Sequence, residues 1–311
     1  MTIFGTGSKI AARSKVIGII VTLVCCCCWL QADKINLLEE QLERELGKVA
    51  AQLDGVVGIA IMDLTSGRTW LCHEQELFPQ ASTIKIAILV EVLQQCESGK
   101  LKLDEPIELK PNQKVGGSGV LHLLTTPQLT LSLRDLCVLM VSLSDNTATN
   151  LLIDRVGMES VNSRMAAMGL KNTKLQRKMM DLQAAQEGRE NISTPYDMLQ
   201  LLHQIYSGKA MASHFRDELV NILSVYKESV LRQNIPEAVT VANKPGELEG
   251  VRTDCGIVYL KGRPFIICVM TTYLHDDRQG DAAIATITKL AFAHFSRIAG
   301  ASEYGRVIST R

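Results

Sequence analysis

Ile35, Leu38, Leu42, Leu46, Val49 and Leu53 recur at three- and four-residue steps, the period of one helix face, and Gly55 ends the run. The spacing predicts a helix over 35–53. Val56 to Leu64 and Arg68 to Cys72 then read as two strands around Thr65-Ser66-Gly67. A second helix is predicted from Ser82 to about Glu97, with Gly99 as its stop. Residues 103–130 lose periodicity and carry Pro106, Pro111, Gly116, Gly117, Gly119 and Pro127. Irregular segments of this length in compact domains are often functional. Helical periodicity dominates from Leu133 to about Val230, with breaks near Ser144, Gly157 and Gly169 and across 171–193. Thr194-Pro195 has the form of a helix cap followed by proline in the first turn. Three strands are predicted near the C-terminus, at 239–243, 252–259 and 265–273, and a last helix from Ala282 to Arg297.

Strands therefore sit at both ends of the chain, with a helical block between them. The economical arrangement is one sheet built from both ends with helices on its faces, a second lobe of helices, and a cleft between lobe and sheet. Ahead of this lies a different pattern. Lys9, Arg13 and Lys15 precede an almost purely apolar run from Val16 to Leu30, and a small residue follows at Ala32. This is the arrangement of a secretory signal over 1–32, which predicts a secreted or periplasmic protein. The apolar run is about 15 residues, shorter than the roughly 20 that span a bilayer. The alternative is an uncleaved anchor through 16–30, and only then does the membrane become a partner. The remainder divides into a domain over 33–300 and a tail over 301–311. Within the domain, the sheet lobe takes about 33–80 and 235–300, and the helical lobe 81–234.

Composition narrows the function classes. Of 311 residues, 46% are hydrophobic and 21% charged, enough for a substantial core, which excludes a mostly disordered chain. Basic and acidic residues number 33 each, so no general affinity for nucleic acid is implied. Four of nine cysteines lie in the leader. Those left, Cys72, Cys96, Cys137, Cys255 and Cys268, are odd in number and form no C-x-x-C pair. Neither a disulfide framework nor a zinc cage is indicated, and the histidines stand singly. No metal or other cofactor is expected.

Three short motifs carry candidate chemistry, and each has a plainer reading. Ser82-Thr83-Ile84-Lys85 places a lysine on the helix face of a serine, within reach of its hydroxyl. A serine needs an adjacent base to become a nucleophile, and a lysine can serve if burial or a second cation lowers its pKa. The same spacing arises by chance, and Ser224-Val225-Tyr226-Lys227 is a second instance. Ser144-Asp145-Asn146 precedes a helical segment and reads equally as its cap. Lys244-Pro245-Gly246 ends a strand-like run and reads equally as a turn.

Order and spacing join them. Ser-x-x-Lys opens a helix, Ser-Asp-Asn follows 62 residues later in the helical lobe, and Lys-x-Gly follows 100 residues after that. This set, with stretches such as FPQASTIKIAILVEVL and LMVSLSDNTATNLLIDRVG, resembles the class A β-lactamase-like serine hydrolases, which share it with penicillin-binding proteins. The resemblance runs from about 35 to 297. It implies an α/β (α+β) fold with an antiparallel five-stranded sheet, flanking helices and an all-helical lobe. It implies Ser82 as acylated nucleophile, Lys85 as proton acceptor directly or through water, and Ser144 as proton shuttle to the leaving nitrogen. Asn146 would hold the substrate's side-chain amide and the lysine. Lys244 would supply positive charge and hold down the pKa of Lys85. The N–H groups of Ser82 and Glu247 would form the oxyanion hole, beside Gly246, with Asp145 a structural cap. The expected partner is a small molecule, a β-lactam or a D-Ala-D-Ala-type peptide, and the protein a monomer.

Two departures bear on mechanism. MAAMGLKNTKLQRK leads into what resembles the family's Ω loop. Aligned from Arg177, its water-activating glutamate is here Met179, which accepts no proton. Asp181 is the nearest carboxylate, either a substitute base or a brace of the loop, in which Arg177 is expected to pair with Asn191. Pro245 stands where the family has serine or threonine and lacks both hydroxyl and N–H. Arg252 is the candidate substitute anion site, or an ordinary strand-surface charge. The leading expectation is a β-lactamase-type hydrolase working through acyl-Ser82. The alternatives are a D-Ala-D-Ala carboxypeptidase or related peptidase or esterase, and a β-lactam binder that acylates once.

Overall fold

The structure is a computed structural model describing residues 37–302 and 304–307. The predicted leader and its anchor alternative lie outside the described residues. Residues 37–52 form helix α1. Strands β1 (Val56–Asp63) and β2 (Thr69–Cys72) follow, paired around the predicted turn. Strands β7 (Val241–Leu248), β8 (Val251–Val258) and β9 (Phe265–Thr272) come from the other end of the chain. The sheet order is β2-β1-β9-β8-β7, antiparallel throughout, so the two chain ends meet at the β1–β9 pair.

Side-chain alternation along β1 sets the layers. Val57, Ile59 and Ile61 face one way and pack with Leu42 and Leu46 of α1 and with Ile284, Ile287 and Phe295 of α10 (Asp277–Ala299). Phe295 stacks on Phe265 with ring centroids 4.3 Å apart. Ala60 and Met62 face the other way, into the core shared with the helical lobe. That lobe comprises α2 (Lys85–Glu97), α3 (Leu133–Ser142), α4 (Asn146–Val156), α5 (Met158–Ala167), the short α6 (Leu182–Gln186), α7 (Pro195–Tyr206), α8 (Ser213–Ser224) and the one-turn α9 (Val230–Gln233). α7 begins as predicted: Thr194 Oγ1 accepts from Asp197 N, and Pro195 needs no N–H partner in the first turn.

The fold departs from the sequence expectation at four places. Ser82 lies in a 3₁₀ turn, Ala81–Ile84, and the α-helix starts at Lys85. The segment 103–130 is less irregular than expected: β4 (Pro106–Leu109) and β5 (Leu129–Ser132) pair antiparallel at its ends. Two two-residue strands, β3 (Phe78–Pro79) and β6 (Ile192–Ser193), tie the approach to Ser82 to the end of the 171–193 break. Lys244-Pro245-Gly246 is no turn, because β7 runs through it to Leu248, and Glu249-Gly250 makes the hairpin with Gly250 at φ +71°. β7 is an edge strand, where a missing proline N–H leaves no ladder position unpaired.

Candidate active site

Ser82 sits in its turn because four contacts hold the turn in place. Thr83 N and Oγ1 donate to Gln80 O at 3.0 and 2.6 Å, Thr253 Oγ1 on β8 donates to the same oxygen at 3.2 Å, and Gln80 N donates to Asn191 O at 2.8 Å. β7 then runs so close that a Cβ on Gly246 would lie 2.7 Å from Ser82 N and 2.8 Å from Gln80 O. Only glycine permits that approach.

Ser144 occupies the short link between α3 and α4. Asp145 behind it is the N-cap of α4, accepting from Ala148 N at 2.9 Å, and it also takes Val120 N and Leu121 N at 2.7 and 2.9 Å. Asp145 is therefore structural, as expected: it clasps the 118–121 loop against the helix start. Ser144 has φ +53°, and Ala81 and Met180, at +47° and +64°, share the left-handed region. All three line the cavities described below. Each such residue costs about 1–3 kcal/mol and persists only where its surroundings enforce it.

The reactive groups converge on the Ser144 hydroxyl. Ser144 Oγ donates to Ser82 Oγ at 2.9 Å. It accepts from Lys85 Nζ at 3.0 Å and from Lys244 Nζ at 3.1 Å. Lys85 also donates to Ser144 O at 2.7 Å and Asn146 Oδ1 at 3.2 Å, and Lys244 to Pro245 O at 2.8 Å. The hydrogen-bonded route from Lys85 to Ser82 thus passes through Ser144 rather than running direct. Asn146 Nδ2 donates to Gly116 O at 3.1 Å. Lys85 and Lys244 are both buried. Burial first, and then the Lys244 ammonium, hold Lys85 well below the ordinary lysine range, against the opposing pull of Asp145. Burial pushes Lys244 down to about 7, opposed chiefly by Asp254. Lowered amine pKa values are what a lysine base needs at neutral pH.

A cavity of about 470 Å³ is lined by Ser82, Ser118, Ser144, Lys227, Lys244 and Glu247, among others. A second, of about 170 Å³, meets it at Ser82, Ser118 and Glu247 and is walled by Asn146, Met179, Met180 and Glu190. Arg252 N donates to Thr271 Oγ1 at 3.1 Å, toward β9. Its cross-strand partner Glu247 therefore belongs to a non-hydrogen-bonded pair, and the Glu247 N–H points off the free edge of β7. With Ser82 N it provides two backbone donors at one cavity wall, the makings of an oxyanion hole.

Two candidates fall outside this arrangement. Arg252 pairs with Asp277 at 3.0 Å and Asp281 at 3.4 Å and donates to Leu248 O and Val251 O. It ties α10 to β8, lines neither cavity and is not the substitute anion site. Asp181 caps α6 through Ala184 N at 3.0 Å and lines neither cavity, so it braces the loop and is not placed as a base. Arg177 pairs with Asn191 through its backbone, at 3.0 and 3.2 Å, while its guanidinium takes Glu190 at 3.0 and 3.1 Å. The carboxylate partner was not foreseen. Met179 is held through its backbone N–H and carbonyl by Asn150, at 2.8 and 3.0 Å, and lines the smaller cavity beside Ser82. Lys227, in the sequence only half of a chance-level Ser-x-x-Lys repeat, lies in the wall of the larger cavity.

Residues 40–295 match a family described as the beta-lactamase enzyme family. The chain is 27% identical to a carbapenem-hydrolyzing beta-lactamase KPC of Klebsiella oxytoca, over 87% of this chain and 95% of that one. The fold is similar to a beta-lactamase from Sphaerobacter thermophilus, with TM-score 0.76, 31% identity and coverage of 82% and 97%. It is similar also to a PBP-A mutant in acyl-enzyme complex with penicillin G, with TM-score 0.75, 26% identity and coverage of 84% and 97%.

Proposed function

The chain belongs to the beta-lactamase enzyme family, and from that membership we propose that Ser82 opens β-lactam amides by forming an acyl-enzyme. The protein is a serine hydrolase of β-lactamase type. The observation that carries the residue assignment is the Ser144 hydroxyl, 2.9 Å from Ser82 Oγ and within 3.1 Å of both lysine amines.

With Lys85 neutral, the Ser144 hydroxyl turns to donate to its amine and accept from Ser82; as Ser82 Oγ attacks the lactam carbonyl, its proton passes to Ser144 Oγ and the Ser144 proton to Lys85. The carbonyl oxygen gains charge facing the N–H groups of Ser82 and Glu247. Ser144 then returns a proton to the departing nitrogen, and the ring opens with the acyl group on Ser82. Asn146 and Gly246 shape the binding wall, and Lys244 supplies positive charge next to Ser144. The leader pattern supports a secreted or periplasmic setting, and a monomer acting on a small molecule is the simplest state.

Hydrolysis of the acyl-enzyme is the slow half. Met179 stands in the wall where a water would be activated, and it accepts no proton. That observation favours a second reading in which the acyl-enzyme is long-lived, as in a D-Ala-D-Ala carboxypeptidase or a β-lactam-binding protein. The test is penicillin consumption by the wild type, by Ser82→Ala and with D-Ala-D-Ala peptide as rival substrate. Continuing, Ser82-dependent loss of penicillin supports the lactamase reading. Turnover of the peptide with a single equivalent of penicillin consumed replaces it with the second.

A further inference from the structure

The substrate-binding end of the cleft lacks the hydroxyl that Pro245 cannot supply, and Arg252 is engaged by α10. The larger cavity is nevertheless lined by a second buried lysine. Lys227, in the segment after α8, is 6% exposed, and its Nζ donates to Leu223 O at 2.6 Å and Val225 O at 2.7 Å. Both acceptors are carbonyls at the C-terminal end of α8, which carry only partial negative charge, and among the described residues Lys227 forms no salt bridge. An ammonium has three donors, so one is left over, and the residue borders the cavity that holds Ser82 and Lys244.

Charge at this end does not balance. Lys227 and Lys244 share one buried carboxylate, Asp254, which is already occupied by Ser229 Oγ at 2.6 Å, Asn243 Nδ2 at 2.7 Å and Leu231 N at 3.3 Å. The other carboxylates of the wall, Glu228 and Glu247, are exposed to water. Arg232 adds a further repulsion to Lys227. Burial brings Lys227 down to about 8, which leaves it mostly charged at neutral pH. An unpaired buried ammonium is costly unless an anion completes it.

We propose that Lys227, with Lys244, holds the carboxylate of the substrate in place of the hydroxyl missing at Pro245. The inference rests on the acyl-Ser82 reading and assigns the cleft to substrates that are anionic at that end. Lys227→Gln retains N–H donors for the two carbonyls but removes the charge. Acylation of wild type, Lys227→Gln and Lys227→Arg is measured with penicillin G and with its methyl ester, which lacks the anion. The wild type should prefer the free acid. Lys227→Gln should shrink that preference at least tenfold through weaker binding rather than a slower limiting rate, and Lys227→Arg should keep most of it. Lys227→Met provides the same comparison if the Gln variant misfolds. Equal losses on acid and ester overturn the inference alone. A wild type that forms no Ser82 adduct with either compound overturns the acyl-Ser82 reading, and this inference with it.

Discussion

Replacing Met179 with glutamate adds a proton acceptor to the smaller cavity, whose present carboxylates are Glu190, paired with Arg177, and the exposed Glu247. The backbone is set for it: Asn150 grips Met179 N and O at 2.8 and 3.0 Å whatever the side chain, so the substitution leaves the loop in register. The cavity of about 170 Å³ next to Ser82 has room for water. A positioned general base contributes about 10²- to 10⁴-fold to a proton-transfer step. That equals about 3–5 kcal/mol of barrier. Burying a neutral polar group costs about 1–3 kcal/mol and a carboxylate more, so the variant should also melt lower. The assay follows acyl-enzyme decay by intact mass after a penicillin pulse, with Met179→Gln as a control of similar shape that cannot take a proton. Deacylation should accelerate about 10²-fold or more in the glutamate variant and stay slow in the glutamine variant. Equal rates in the two variants, or no acceleration in either, would refute the idea that the missing base limits turnover.

Four further outcomes follow from the geometry. Acylation should rise with pH as Lys85 loses its proton and fall above about 7 as Lys244 loses its charge, with apparent values that belong to the coupled pair. Burial is the main cause of the low Lys85 value and the Lys244 charge the second, so Lys244→Gln should move the acid limb part of the way to higher pH; a limb that stays put contradicts the coupling. Stability follows the same groups. Lys244 is about 7 when folded and 10.5 as its ordinary value, so the folded chain binds fewer protons between them and stability gains from this group as pH rises through that window. Gly246→Ala pushes a methyl into Ser82 N and Gln80 O, and should cost about 1–3 kcal/mol and at least tenfold in acylation, read by melting and adduct formation. Arg252→Ala should lower the melting temperature by a few degrees through loss of the α10 tether, while acylation changes less than twofold. A large acylation loss there would restore Arg252 as an anion site.

The sheet and most helices were legible because their signals are local and periodic. β1, β2 and the turn between them were placed within a residue or two, and the breaks at Ser144, Gly157 and Gly169 mark real helix ends. Where reading failed, the deciding partner lay far along the chain. Pro245-Gly246 looks like a turn until β7 is seen as an edge strand pressed on the Ser82 turn. Arg252 looks like a free charge until Asp277 and Asp281 of α10 lie over it. β4 and β5 were hidden because their short alternations are separated by prolines and glycines and pair only across the loop. Ser82, Lys85, Ser144, Asn146 and Lys244 were found through motif order, since no periodicity brings residues 62 and 100 apart onto one hydroxyl. Lys227 carried the weakest signal, a chance-level repeat of the same spacing, and only its burial in the cavity wall distinguishes it.

The central claim is that Ser82 becomes covalently acylated. Intact-protein mass, followed over time after mixing with penicillin G and then localised by peptide mapping, tests it most directly. The account predicts an adduct of one penicillin on the peptide containing Ser82, slow to decay in the wild type and absent in Ser82→Ala. An adduct that persists in Ser82→Ala, or none at all in the folded wild type, would contradict it.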